Sequence, residues 1–182
     1  MLQAAWELAR RDGLAALTLR DVAARVGMRA PSLYSYFPSK NEMYDAMFAE
    51  AASSLAAELR GSSGNDAESR LRDRLRRFVG WCTADPTRYQ LVFQRSVPGF
   101  APSEESYQIT VDALRATREA VEAAGIRGDK PFELLRGTFN GLTSLQIAND
   151  PGGNRWAVMA DEALDMFLDR YAHQRRRARR GA

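Results

Sequence analysis

The chain has almost none of the residues from which most catalytic and metal sites are built. Its 182 residues include one cysteine, Cys82, and one histidine, His173, which lies in a basic C-terminal segment. A single cysteine excludes an internal disulfide, and one cysteine with one histidine cannot complete a zinc site. The same scarcity disfavours a Ser-His-Asp or Cys-His catalytic centre, and no G-x-G-x-x-G or GK[ST] phosphate loop occurs. The sequence therefore predicts a protein that is not an enzyme and that needs no metal or cofactor.

Long apolar runs and a strong overall charge are also missing. No eighteen consecutive residues are apolar, and the N-terminus has neither a charged leader nor a long apolar run, so we expect a soluble, cytoplasmic protein that engages no membrane. The lone cysteine fits a reducing compartment. The net charge is +3, and much of the excess lies in the run RRRARR near the C-terminus. Basicity alone is therefore a poor argument for a nucleic-acid partner.

Period-two alternation is absent, whereas helical periodicity runs through nearly the whole chain. Proline and glycine lie at the predicted ends of the helices and in the segments that connect them. The predicted helices cover 2–11, 19–26, a short segment from 30, 39–60, 67–84, 85–94, 104–124, 131–149 and 154–175. The predicted fold is all-α, with about nine helices: an N-terminal helix-turn-helix three-helix bundle and a C-terminal helical domain for ligand binding and dimerisation. We place these domains at 1–48 and 49–175, followed by a basic disordered tail at 176–182, with the fourth helix shared between both domains.

The segment at residues 18–40, TLRDVAARVGMRAPSLYSYFPSK, predicts a DNA-binding motif. Thr18 and Asp21 form a weak capping box at the start of one short helix. Gly27 supplies a sharp turn, and Pro31 sits where a first-turn proline is tolerated at the start of a second helix. Helix, tight turn and helix make the geometry that places a second helix in the major groove of DNA.

The same segment resembles the TetR family of one-component transcriptional regulators. The resemblance rests on Leu33-Tyr34-x-Tyr36-Phe37-x-x-Lys40, preceded by Leu19-x-x-Val22-Ala23 and Gly27, and it covers roughly the first fifty residues. It implies a dimer that binds double-stranded DNA. The default function is a repressor that a small hydrophobic effector releases from a palindromic operator, although the sequence leaves activation open.

The roles of the DNA-binding residues follow from that resemblance and from which side chains the second helix leaves outward. Arg20 and Lys40 are expected to contact phosphates, and Tyr34 and Tyr36 to reach phosphate or sugar, with partial burial of Tyr36 as the alternative. The small outward residues of the second helix are expected to face base edges. The full predicted set is Arg20, Arg29, Ala30, Pro31, Ser32, Tyr34, Ser35, Tyr36 and Lys40.

A dense aromatic set in an otherwise alanine-rich bundle predicts a small-molecule pocket, with ordinary core packing as the alternative for any single ring. The predicted lining is Phe78, Trp81, Cys82, Tyr89, Phe93, Tyr107, Val111, Phe139, Asn140 and Thr143. No lysine or arginine can be placed beside this set, which favours an uncharged, largely hydrophobic effector. The stretch Phe139-Asn140-Gly141 also resembles a TetR subgroup named for a Trp-His-Gly motif, with Phe and Asn in place of the Trp and His.

The resemblance further implies pairing through the last two long helices, which would form a four-helix bundle between two copies. These helices carry more apolar residues than one core face needs, and packing within a single protomer is the alternative. The predicted dimer residues are Leu142, Leu145, Leu164, Phe167, Leu168 and Tyr171. Two copies on a two-fold axis would read a palindromic site.

A second interpretation is a helical small-molecule-binding or protein-interaction module with lost or weak DNA binding. It draws on the start of the chain, which opens at Met1-Leu2 already inside the first predicted helix. Family members usually begin earlier, with a basic arm that adds phosphate contacts.

Overall fold

The computed structural model describes residues 1–173, and all of their regular structure is helical. The helices are α1 (Leu2–Asp12), α2 (Leu19–Arg25), α3 (Ala30–Leu33), α4 (Lys40–Arg60), α5 (Ala67–Ala84), α6 (Pro86–Phe93), α7 (Glu104–Ala123), α8 (Asp129–Asn149) and α9 (Ala160–Phe167). One turn of 3-10 helix, Ala157–Met159, precedes α9, and a π-helical segment, Leu168–His173, follows it. The all-α prediction is confirmed over these residues. The predicted tail at 176–182 lies outside them.

The last predicted helix differs most from the structure, because its first residues are held in a loop. The Gln146 side-chain oxygen accepts hydrogen bonds from the backbone N–H groups of Trp156 and Ala157, at 2.9 and 3.2 Å. The Asp150 carboxylate accepts from the N–H of Arg155 at 2.9 Å. These amides find their acceptors on α8 and on the residue just after it, so regular helix begins only at residue 157 instead of 154.

The described chain divides into two compact units. The first contains residues 1–54 and 85–111, and the second contains 55–84 and the residues from 112 onward. The division falls within α4 and within α7, so each of these helices contributes to both units. The predicted domain boundary at residue 48 does not coincide with this division into compact units, and it remains a prediction.

The first unit is built around α1 and the N-terminal half of α4. Trp6 on α1 is fully buried, and Met43 and Met47 on α4, four residues apart on one helix face, are buried as well. The loop that follows α6 joins the same core through Phe100, whose ring centroid lies 5.5 Å from that of Tyr44. The α6–α7 segment is therefore part of the unit that carries the helix-turn-helix.

The core of the second unit joins α5, α8 and α9. Leu71 and Val79 of α5 pack with Leu135 of α8 and Leu164 of α9 in one buried cluster. Arginines on the exposed side of α5 reinforce this packing: Arg76 forms an ion pair with Asp161 at 2.5 Å, and Arg72 pairs with Asp161 and Asp165.

Candidate functional site

The helix-turn-helix is held by the contacts that its sequence predicts. The Thr18 hydroxyl accepts a hydrogen bond from the N–H of Asp21 at 3.1 Å and donates one to the Asp21 carboxylate at 2.6 Å. Gly27 has a φ of 68°, a left-handed conformation that glycine adopts at little cost. α2 packs against α3, and Val22 on α2 and Leu33 on α3 are completely buried. The turn and the start of α2 are therefore set by local contacts, and α2 and α3 each bury an apolar side chain.

The predicted base-facing residues lie together on the outside of α3 and the turn that follows it. Pro31, Ser32 and Ser35 are exposed, and the Ser35 hydroxyl donates to the Ser32 carbonyl at 2.7 Å. Tyr34 is 53% exposed and Tyr36 is 59% exposed, so neither ring is used in the core of this protomer. We call residues 29–36 the reading segment. Because the Tyr36 side chain is exposed, its partial burial is the weaker of the two interpretations of this residue.

The cations in and around the helix-turn-helix, among them the predicted phosphate contacts Arg20 and Lys40, differ in how they are engaged. Arg20 is exposed and Arg29 directly precedes α3, and neither has an ion-pair partner among residues 1–173. Lys40 is partly buried, and its ammonium donates to the carbonyl of Ala15 at 3.0 Å. Arg25 is paired with Glu7 at 2.7 Å. Residues 1–54 carry six arginines and lysines and six acidic residues, so the net formal charge of this stretch is zero.

Sequence reasoning missed a polar network that ties α6 to α1 and α4 inside the first unit. The Glu50 carboxylate on α4 accepts from the Trp6 indole N–H at 2.7 Å and from the Arg88 guanidinium of α6 at 2.7 Å. Arg10 on α1 donates to Asp85, the cap of α6, at 2.6 Å. The Arg88 guanidinium also lies 5.4 Å from the centre of the Trp6 ring. The Asp85-Pro86 start of α6 was the only sequence signal, and it gave no indication of these long-range partners.

The predicted effector residues are distributed over both units. The first unit contains Tyr89 and Phe93, whose ring centroids are 5.4 Å apart. Tyr89 is buried, whereas Phe93 is 39% exposed. Tyr107 and Val111 follow on α7 and are exposed as well. Within this unit, therefore, one of the four predicted residues is enclosed.

In the second unit, several predicted effector residues are part of the protomer's own core. Phe139 and Cys82 are buried, and burial raises the pKa of the Cys82 thiol. The Thr143 hydroxyl donates to the Phe139 carbonyl at 2.8 Å, and the Asn140 amide donates to the Arg136 carbonyl at 2.9 Å. The polar groups expected to orient a guest thus bond to their own helix. Phe78, Trp81 and Asn140 remain only partly buried.

An arginine is buried in the second unit, although the sequence placed none beside the aromatic set. Arg74 on α5 is 8% exposed. Its guanidinium donates to the carbonyl of Leu59 at 2.9 Å, in the last turn of α4, and to the Thr117 hydroxyl of α7 at 3.0 and 3.1 Å. Its partners among the described residues are neutral, and burial lowers the pKa of the guanidinium. The favourable electrostatic contact at the C-terminal end of α4 explains how this charge is accommodated.

The predicted dimer residues split between core and surface. Leu164 and Leu168 are 1% and 2% exposed and belong to the core cluster of a single protomer, and their assignment to an intermolecular surface remains a prediction. Phe167 and Tyr171 pack partly buried against that core, with their ring centroids 5.8 Å apart. Leu142 is partly buried and Leu145 is 44% exposed. Further apolar residues of the second unit, not among the predicted dimer residues, are exposed: Leu134, Val158, Met159 and Met166.

The part of the chain that the structure describes offers neither a metal site nor a membrane span. Between residues 1 and 173, no group of three or more His, Cys, Asp or Glu side chains is arranged to hold a metal ion. Within the same residues, no helix has both the length and the apolar character needed to cross a membrane.

Comparison with known proteins places the chain among bacterial regulators. Residues 1–47 match the family model described as bacterial regulatory proteins, tetR family. A helix-turn-helix-type transcriptional regulator of Mycobacterium tuberculosis is 30% identical over 132 residues, which span 68% of this chain and 56% of that protein. The nucleoid occlusion factor SlmA of Haemophilus influenzae is 27% identical over 120 residues, which span 59% of this chain and 55% of that protein. The chain thus spans little more than half the length of these curated relatives.

Solved structures extend the likeness to nearly the whole chain. The regulatory protein SCO4313 is 27% identical, with a TM-score of 0.75 over 92% of this chain and 93% of that one. The TetR family transcriptional regulator PfmR from Thermus thermophilus is 18% identical, with a TM-score of 0.68 over 92% and 96% of the two chains, and this likeness shows the fold alone. The helix-turn-helix, the all-helical fold and these matches agree: residues 1–47 belong to the tetR family of bacterial regulatory proteins, and the described chain shares the fold of TetR family regulators.

Proposed function

We propose that this chain is a dimeric DNA-binding transcriptional regulator, and that it represses by occupying a palindromic operator from which a small hydrophobic effector releases it. The observation that carries the proposal is the reading segment. Its small polar residues and two tyrosines are exposed, while Leu33 anchors the segment in the core. Such a surface suits the major groove, where short side chains allow close approach to base edges and hydroxyl groups bond to bases and phosphates.

Dimerisation is part of the proposal because a single short helix buries too little surface to select an operator. The exposed apolar residues of α8, of the α8–α9 connection and of α9 support a pairing surface, since Met166 is 68% exposed and Leu145 is 44% exposed. A two-fold dimer presents two reading segments, and this symmetry is the reason for proposing a palindromic site.

Two observations support the proposed release by an effector: partly buried aromatic residues in the second unit, and the polar network that ties α6 to α1 and α4 in the first unit. The partly buried Phe78 and Trp81 on α5 offer apolar contact to a hydrophobic guest. Because α6 is tied to α1 and α4 through Arg88, Glu50 and Asp85, a shift of α6 would disturb the helices on which the reading segment rests. A ligand can drive that shift only by binding the released form more tightly than the DNA-bound form.

A mobility-shift assay with the promoter region of the protein's own gene tests the proposal. The wild type should bind this DNA, and Tyr34→Ala should weaken binding while helical content is preserved. Tyr107→Ala is the matched control, because Tyr107 is a similarly exposed tyrosine outside the reading segment. Equal affinity of both variants would overturn the assignment of the reading segment. Absence of any binding by a folded wild type would favour the ligand-binding or protein-interaction module instead.

A further inference from the structure

Arg29 differs from the rest of the reading segment in the number of hydrogen-bond donors that its side chain offers. The segment has the sequence Arg-Ala-Pro-Ser-Leu-Tyr-Ser-Tyr and contains no Asn, Gln, Lys, Asp, Glu or His. A serine or tyrosine hydroxyl donates one hydrogen bond, whereas a guanidinium presents several donors in a fixed planar fork. Arg29 is therefore the one side chain in the reading segment that can donate two parallel hydrogen bonds to a single base.

The backbone fixes Arg29 at the N-terminal end of α3 and leaves its side chain outside. Its carbonyl accepts a hydrogen bond from the N–H of Ser32 at 3.0 Å. Its φ and ψ, −75° and 141°, are extended, and its exposed side chain forms no capping hydrogen bond with α3. In a helix-turn-helix, the N-terminal residues of the second helix contact base edges, while the first helix crosses the DNA backbone. Arg29 thus lies at the end of α3 that faces the bases, whereas Arg20 lies on the helix that crosses the backbone.

The other outward residues of the segment are poorly suited to guanine. In the major groove, guanine presents two acceptors, N7 and O6. The Ser35 hydroxyl donates to the Ser32 carbonyl at 2.7 Å, so its proton is already used and its oxygen is left as an acceptor. Ala30 and Pro31 offer apolar contact, for which the matching group on a base edge is the thymine methyl. Recognition of guanine by this segment therefore depends on Arg29.

We propose that Arg29 determines base specificity: its guanidinium donates two hydrogen bonds, to N7 and O6 of one guanine in each operator half-site. This inference rests on the proposed DNA-binding function and names a base contact that the function leaves open. The remaining outward residues of the segment supply single hydrogen bonds and apolar contacts. An arginine that contacts a phosphate would instead add affinity without base preference, so the two roles are separable by experiment.

The test uses duplexes that the wild-type protein enriches from a random-sequence library, with each enriched G·C pair replaced in turn by A·T. At one guanine of each half-site, the replacement should weaken wild-type binding by roughly five- to a hundredfold, the discrimination expected of a bidentate arginine–guanine pair. Adenine keeps N7 but places an N6 donor where guanine has the O6 acceptor, so the second hydrogen bond is lost. In Arg29→Ala the same replacement should change the affinity by about twofold or less.

Arg20→Ala is the matched control, because Arg20 is also an exposed arginine but lies on α2. It should weaken binding to both duplexes by a similar factor and keep the preference for guanine, with helical content preserved in both variants. An Arg29→Ala variant that keeps the full preference for guanine at every replaced position would overturn the proposal and show a phosphate contact. A wild type that enriches duplexes without a guanine in the half-site would also overturn it, while the proposed DNA binding stands. If a folded wild type enriches no duplex, the proposed function fails and this inference fails with it.

Discussion

Arg95 is the one described residue other than glycine with a positive φ, at 46°. It directly follows Gln94, the C-terminal cap of α6, where glycine is the common solution for a left-handed residue. The strain of a side chain in this conformation is about 1 kcal/mol, and the extra freedom of glycine in the unfolded chain offsets part of any gain. We therefore expect Arg95→Gly to raise the free energy of unfolding by about 0.5 kcal/mol, measured by denaturant titration.

Arg95→Ala serves as the control for that substitution. Alanine removes the same guanidinium but keeps a Cβ, so the backbone strain should remain and the unfolding midpoint should stay close to that of the wild type. If alanine stabilises as much as glycine, the arginine side chain and not the backbone is the source of strain.

The ion pairs between α5 and α9 give the second unit a predictable response to acid. The hydrogen bond from Arg76 lowers the pKa of Asp161, with Arg72 adding to the effect. A carboxyl with a lowered folded-state pKa stabilises the fold above its ordinary value of about 3.9, and this contribution is lost as pH falls through the folded-state pKa. The unfolding midpoint should therefore drop between about pH 5 and pH 3, and Asp161→Asn should flatten that drop.

Glu162→Gln is the matched control for the acid response, because Glu162 is the exposed neighbour of Asp161. The ion-paired carboxylate is partly exposed, so the difference between the two variants should be modest. An acid profile of Asp161→Asn that coincides with that of the wild type would mean that the α5–α9 pairs contribute nothing measurable to folding.

Most helix boundaries could be predicted because their signals are local. The predicted bounds of α5 agree with the structure, since α5 is delimited by the glycine- and serine-rich stretch before it and by Pro86 after it. The start of the last helix could not be predicted, because it depends on Gln146 and Asp150 capturing backbone amides of the following segment. Whether such hydrogen bonds form depends on where side chains point in the folded chain. Sequence periodicity carries no information about that direction.

At the scale of the whole molecule, the proposed dimer should depend on surface residues of α9 and not on its buried stripe. Met166 is 68% exposed, whereas Leu164, which the sequence analysis assigned to the interface, is 1% exposed. Met166→Glu should shift the protein toward monomers in sedimentation with helical content unchanged. Leu164→Glu should instead unfold the second unit, because it places an unpaired charge in the core.

Leu145→Glu gives an independent check on that surface, since Leu145 is exposed on α8. It should act in the same direction as Met166→Glu. Dimers that persist unchanged in both variants would move the pairing surface elsewhere, and a folded wild type that is monomeric at micromolar concentration would remove it.

The charge distribution predicts a shallow salt dependence of DNA binding. Residues 1–54 carry no net formal charge, and Arg20 and Arg29 are the cations there without an intramolecular partner among residues 1–173. With two such cations per protomer, a dimer should release few counterions, and the slope of log affinity against log salt should be about −3 to −4. A titration with a slope of about −7 or steeper would mean that cations beyond these two arginines contact the DNA.

The sequence by itself determined the helix-turn-helix, the all-helical fold and the scarcity of cysteine and histidine. These follow from signals within a few residues of each other, such as Thr18 with Asp21 and the turn at Gly27. Only the tertiary structure decided which apolar residues are buried within the protomer: Leu164 is in the core, whereas Met166 is exposed. It likewise decided that Lys40 reaches a loop carbonyl and that Arg88 reaches Glu50, because both partners lie more than twenty residues away along the chain and meet only when the helices pack.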